Sequence, residues 1–163
     1  MGKKIAKTNA ARILDKENIP YDIIHYDIED GLVDGVSVAA KIGHPEKVVY
    51  KTLVAAGASK QHYVFVIPVA EELNLKAAAK AAGEKKVEMA PVKEILTLTG
   101  YVKGGCSPVG MKKPFPTFIA RQAELQEEII VSAGKIGMQI KLDPVNLLKV
   151  TDGQYANLTV KDD

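Results

Sequence analysis

With 163 residues, 47% of them apolar and 26% charged, the chain is long enough to bury a core of its own, and its composition excludes a disordered or membrane-spanning protein. A net charge of +2 permits a nucleic-acid partner without demanding one. Cys106 is the single cysteine, which excludes an internal disulfide or a zinc cluster and fits a reducing cytoplasm, and residues 1–11 lack the apolar stretch of a signal peptide. No fixed-period repeat divides the chain, so one domain over 1–163 and a cytoplasmic location are expected.

In chain order, Thr8 or Asn9 caps a first helix whose apolar positions Ala10, Ile13 and Leu14 share a face, and Asn18 with Pro20 stops it. Residues 21–26 alternate as a strand, with Tyr21, Ile23 and His25 on one side and Asp22, Ile24 and Tyr26 on the other. An acidic loop over 27–35 leads to a short helix capped by Ser37 and ended by Gly43 and Pro45. The aliphatic, β-branched runs 48–56 and 62–68, joined around Gly57, read as a hairpin.

Asn74 caps an alanine-rich helix over 75–82 with Gly83 behind it, and Pro91 opens another helix to about Leu98, ahead of Gly100. Residues 112–116 are too proline-rich for regular structure, and 117–121 follow as a short strand. Residues 129–132 and 138–142 make a second hairpin around Ala133, Gly134, Lys135 and Gly137. Asp143 caps and Pro144 begins a helix through Val150, and 154–160 adds an edge strand. Hairpins interleaved with short helices argue against a doubly wound parallel sheet and for an α/β domain of the mixed α+β kind.

Two features point to chemistry. Residues 101–110 hold Gly104, Gly105, Gly110 and Pro108, so they form a shaped loop, and the N–H groups of Gly105, Cys106 and Ser107 could converge on an oxygen or an anion. Lys51 shares its strand face with Val49, Leu53 and Ala55, which puts an ammonium group where an aliphatic side chain belongs. Either it points into a cleft and holds a phosphate or polarises a carbonyl, or residues 48–50 are still helical and Lys51 snorkels outward.

Other candidates carry less. Residues 132–135 imitate the end of a phosphate-binding loop, but Ile129 stands where that motif needs glycine and Ile136 where it needs Ser or Thr. His25, His44 and His62 lack ligand spacing, so no metal and no cofactor are expected. Cys106 and Ser107 have no base tied to them in sequence, which leaves any reaction here to draw its nucleophile from water or substrate. The pairs Lys85–Lys86 and Lys112–Lys113 read as solvated charge, with phosphate contact as the alternative.

Taken together and in order, Tyr50-Lys51-Thr52-Leu53, Asn74-Leu75-Lys76-Ala77-Ala78, Lys85-Lys86-Val87-Glu88-Met89-Ala90, Thr99-Gly100-Tyr101, Gly104-Gly105-Cys106-Ser107-Pro108-Val109-Gly110 and Ser132-Ala133-Gly134-Lys135 resemble the YbaK/EbsC family. These are free-standing trans-editing aminoacyl-tRNA deacylases related to the insertion domain of bacterial prolyl-tRNA synthetase. The resemblance implies a curved, barrel-like mixed sheet ringed by short helices, and hydrolytic release of cysteine from Cys-tRNA(Pro), extending to Cys-tRNA(Cys). It also implies that Lys51 is the essential side chain, and that Gly104 and Gly105 position the aminoacyl ester.

By the same resemblance, Tyr26, Ser132, Gly134 and Lys135 border the pocket, and the substrate contacts extend to Tyr50 and Thr52 beside Lys51 and to Ser107 and Pro108 in the loop. The implied partners are the acceptor end of an aminoacylated tRNA and a complex with prolyl-tRNA synthetase, with no DNA and no membrane. The chain departs from the family pattern at Ala133, where many members have glycine, and at Cys106, where several have isoleucine. Specificity for alanine, and a non-catalytic phosphate- or tRNA-binding module of the same fold, stay open as alternatives.

Overall fold

A computed structural model describes residues 7–159. The first helix, α1 (Asn9–Lys16), is capped by Thr8, whose hydroxyl accepts the Ala11 N–H at 3.2 Å, and it buries Ala10 and Leu14. β1 (Asp22–His25) is followed by the acidic loop and α2 (Gly35–Ile42). Here the cap differs from expectation. Asp34, not Ser37, is the N-cap: its carboxylate accepts the Ser37 N–H at 3.1 Å and the Ser37 hydroxyl at 2.7 Å, so the helix starts earlier. A charged acceptor outcompetes the serine that it also binds.

One 3₁₀ turn (Glu46–Val48) precedes β2 (Tyr50–Gly57), which forms the expected antiparallel hairpin with β3 (His62–Pro68). The helical segment thus ends before Lys51, which stands in the strand with its side chain partly buried. α3 (Leu75–Ala82) carries the expected Asn74 cap and Gly83 terminus. β4 (Val87–Met89), which sequence patterning did not anticipate, pairs with the far end of β2. After α4 (Val92–Thr99) come the glycine loop, β5 (Thr117–Ala120) and a 3₁₀ segment (Arg121–Leu125).

The second hairpin joins β6 (Ile129–Lys135) to β7 (Met138–Leu142), but β6 runs on past Ser132, and the extra residues are absorbed in a bulge between Ser132 and Lys135. α5 (Pro144–Thr151) is capped by Asp143, and β8 (Gln154–Ala156) is an edge strand. The expected strand over 154–160 ends in part outside the described residues, at position 160.

The strands form a five-stranded sheet in the order β4-β2-β3-β5-β8 and a three-stranded sheet in the order β1-β7-β6. Pairings of β3 with β5 and of β5 with β8 are parallel, so the sheet is mixed, as expected. Along β3, Val64, Phe65, Val66 and Ile67 are all fully buried, because that strand is covered on both faces. Phe65 stacks on Phe118 of β5 with ring centroids 5.6 Å apart.

The two sheets meet at a parallel bridge between Val49 and Ile130. Around it Val49, Ile130, Ala39 and Val69 form an apolar cluster, and this seam sets the lysine-bearing start of β2 beside β6. No helix among the described residues is long and apolar enough to cross a membrane.

The Asn74 side chain accepts from the N–H groups of Lys76 and Ala77 at 3.0 and 3.1 Å. Asn74→Ala is therefore expected to lower the unfolding free energy by about 1 kcal/mol, read as a shifted urea midpoint with an unchanged slope.

Candidate active site

The seam between the sheets opens into a cleft of about 870 Å³. Its floor is the start of β2 with Ser132 and Gln139 of the second hairpin; one wall is the acidic loop from Gly31 to Val36, another the stretch from Met89 to Ile95, and a third the glycine loop at Lys103, Gly104 and Cys106. Of the residues singled out from sequence, Lys51, Tyr50, Thr52, Tyr26, Gly104 and Ser132 all line this one cleft.

Lys51 and Lys103 make no hydrogen bond or ion pair among the described residues, so two ammonium groups are available to an anion in the cleft. The one carboxylate on the wall, Asp34, is occupied as a helix cap; hydrogen bonds from the Ser37 hydroxyl and N–H hold it below the usual carboxylate range. The acidic loop is folded inward on Lys41, whose Nζ donates to Asp27 O, Asp30 Oδ1 and Leu32 O at 2.6, 2.6 and 2.8 Å. Sequence reading treats this segment only as a connection, because its role depends on a tether from the following helix.

The remaining candidates do not line the cleft. Ser107 is fully buried, and its hydroxyl accepts the Val109 N–H at 3.2 Å; Pro108 is buried beside it. Gly105 packs against the β6–β7 turn, where a Cβ would lie 2.9 Å from Ile136 N and 3.1 Å from Lys135 C. Its N–H is spent on Val102 O at 3.0 Å, so of the three N–H groups proposed to converge on a ligand this one is committed.

Gly134, with φ +101°, lies under the Tyr101 ring: a Cβ there would come within 2.7 Å of Tyr101 Cε1. The Tyr101 hydroxyl in turn donates to Val109 O at 2.7 Å, and burial pushes its pKa up to about 12. Lys135 is exposed on the same turn. These residues lock the glycine loop onto the second hairpin, and through that contact they fix where Gly104 and Cys106 stand.

Burial pushes the Cys106 thiol up to about 11, the wrong direction for a nucleophile at neutral pH. His25, His44 and His62 do not line the cleft. The Tyr50 phenol is likewise raised by burial and by the neighbouring Glu71 carboxylate. Three polar atoms on cleft residues are buried without a partner among the described residues: the Tyr50 hydroxyl, Thr52 Oγ1 and Gln139 Oε1. Gln139 and Lys103 escaped sequence reading, since one polar residue in an alternating strand and one lysine in a loop both look like solvated surface.

Residues 32–150, which contain the β2 floor, the glycine loop and the second hairpin, match the family described as the aminoacyl-tRNA editing domain. The chain belongs to that family. The editing domain is 46% identical, over 96% of its length and 95% of the relative's, to a protein of Enterococcus faecalis named "Putative Cys-tRNA(Pro)/Cys-tRNA(Cys) deacylase EbsC". This bears out the resemblance read from the ordered motifs.

In fold, the editing domain matches a crystal structure titled as "a putative trans-editing enzyme for prolyl tRNA synthetase", with a TM-score of 0.80 at 22% identity, covering 96% of this chain and all of that one. It also matches a hypothetical protein with a TM-score of 0.85 at 21% identity, over 93% of this chain and 99% of the other. The mixed α/β architecture is therefore shared with both of these structures.

Two outcomes follow from the geometry. Gly105→Ala is expected to cost about 1–3 kcal/mol by driving the loop off the hairpin backbone, seen as a lowered melting temperature. Cys106 in the folded protein is expected to resist iodoacetamide at pH 8 and to react once urea unfolds the chain, as followed by intact mass, because its thiolate fraction rises only as pH approaches about 11.

Proposed function

We propose that this chain is a trans-editing deacylase that releases cysteine from mischarged Cys-tRNA(Pro), and from Cys-tRNA(Cys), with residues 1–163 working as one cytoplasmic editing domain. The observation that carries this reading is the placing of Lys51, Gly104 and Ser132 around one cleft with no activated nucleophile among the described residues that line it. A site built this way can bind and orient an ester but must let the substrate attack itself.

In this reading Lys51 holds the phosphate of the terminal adenosine or the ester carbonyl, as a compact point charge can. The substrate thiol attacks the ester carbonyl, the bond from that carbon to the 3′-terminal ribose oxygen breaks, and the thiol proton passes to the departing oxygen. The product, a cyclic thioester, is opened by water to free cysteine. The chain contributes orientation of thiol against carbonyl and N–H donors from the glycine loop towards the developing oxyanion. In this reading the Cys106 N–H, which makes no hydrogen bond among the described residues and belongs to a residue lining the cleft, takes that role.

Tyr26, Tyr50 and Thr52 complete the pocket wall. Gly105, Ser107, Pro108, Gly134 and Lys135 act by shaping the loop and the turn. No anticodon-reading module is recognisable among the described residues, so in this reading a complex with prolyl-tRNA synthetase selects tRNA(Pro), the acceptor end alone entering the cleft.

The deciding experiment offers Cys-, Ala- and Ser-charged tRNA(Pro) to the protein. Loss of cysteine well ahead of the other two is expected, since only a thiol assists its own cleavage; preferential loss of alanine would transfer the chain to that specificity, and no turnover with saturable, salt-sensitive binding would make it a binding module. Lys51→Ala is expected to lower kcat/KM at least about a hundredfold, while Cys106→Ala stays within about threefold of the unaltered protein.

A further inference from the structure

The cleft floor carries a polar group that the mechanism above does not use. Strand alternation puts Lys51 on the face of Val49, and Ser132 on the face of Ile130; Val49 and Ile130 are bridged, and Ser132 pairs directly with Gln139. Ser132 and Gln139 therefore project from one face as a cross-strand pair, with Lys51 beyond the bridge on the β2 side of the same cleft.

Gln139 is only 6% exposed, it lines the cleft, and its Oε1 is buried without a hydrogen-bond partner among the described residues. Its neighbours offer no relief. Ile24 stands opposite it on β1; at the next level of the same face Val49 and Ile130 are aliphatic, and Lys141 is drawn away towards Asp22 and Glu128, at 3.8 and 3.9 Å. Beside it, Ser132 Oγ already accepts the Gly134 N–H at 3.2 Å and keeps acceptor capacity to spare. A buried amide oxygen in such surroundings calls for a donor.

Resting on the deacylase reading, the parts of the substrate can be sorted by what they offer. The phosphate and the ester carbonyl accept hydrogen bonds, which suits Lys51 and the loop N–H groups and not Gln139 Oε1. A cysteine or alanine side chain donates weakly or not at all. The α-ammonium group carries three donors and a positive charge. We propose that Gln139 Oε1, with Ser132 Oγ beside it, receives the α-ammonium group of the aminoacyl moiety, and that a free amine is thereby a condition of cleavage.

An acyl group on that nitrogen removes the charge and all but one donor, and adds bulk against Val49 and Ile130. Esters whose nitrogen is blocked, as in peptidyl-tRNA, are then spared. A site built to receive donors rejects a ligand that lacks them more sharply than an apolar pocket rejects extra bulk.

The test compares cysteinyl-tRNA(Pro) with N-acetylcysteinyl-tRNA(Pro). Acetylation leaves the thiol in place, so self-assisted cleavage is untouched and the comparison isolates the amine. The unaltered protein is expected to favour the free amine by at least about tenfold in kcat/KM. Gln139→Leu is expected to lower the free-amine rate towards the blocked one, so that the ratio collapses, whereas Gln139→Glu, which keeps an acceptor, preserves it.

Equal cleavage of both esters by the unaltered protein overturns the proposal, whatever the variants do. So does a Gln139→Leu protein with native circular dichroism that keeps the full preference. If the unaltered protein cleaves neither cysteinyl nor alanyl esters, the deacylase reading falls first and this one with it.

Discussion

The structure depends on one close approach of main chain to main chain. Gly105 lies against the backbone of Lys135 and Ile136 with no room for a side chain, and Gly134, next to Lys135 on β6, makes space for the Tyr101 ring. An irregular loop has no ladder to hold it in place, so its position has to come from such contacts. The Tyr101 hydroxyl on Val109 O and the Ser107 hydroxyl on the Val109 N–H close the loop on itself. What remains facing the cleft, Lys103, Gly104 and Cys106, is held by residues that never meet the ligand.

The seam between the sheets makes the complementary contribution. A lysine in the middle of a regular sheet has nowhere to put its charge. Here β2 begins at the Val49–Ile130 bridge, where the two sheets meet and the cleft opens, so Lys51 keeps an aliphatic base and a polar outlook. The cleft combines Lys51 and polar groups on its floor with Lys103 and the apolar stretch from Met89 to Ile95 on its walls.

Much of the fold was legible because its ends are marked by chemistry that acts locally. Thr8, Asn74 and Asp143 cap the helices they were expected to cap, and Gly43, Gly83 and Gly100 end theirs. Asp34 displaced Ser37 because its carboxylate satisfies the Ser37 N–H and hydroxyl, which lets the helix begin three residues earlier and puts Ser37 in its first turn. β4 was missed since three residues, two of them exposed, are too few to show a period.

Within the site, Lys51 stood out because its strand neighbours are aliphatic. Gln139 did not, because in Met138-Gln139-Ile140-Lys141-Leu142 a polar residue at alternate positions reads as a solvated face. Only the pairing with Ser132 shows that this glutamine sits in the cleft, whereas Lys141, on the same face of β7, reaches away to Asp22 and Glu128. The acidic loop became a wall through Lys41, a contact between segments that no local pattern announces.

The bridge that makes the seam joins positions about eighty residues apart, and such long-range pairings close late in folding. A chain emerging from the ribosome therefore displays its lysine-bearing hairpin well before the second one is available to complete the cavity. Until residues 129–142 have been synthesised and paired, the cleft lacks the part of its floor that Ser132 and Gln139 supply. An unfinished copy of this protein therefore has the lysine without the cavity that gives it a role.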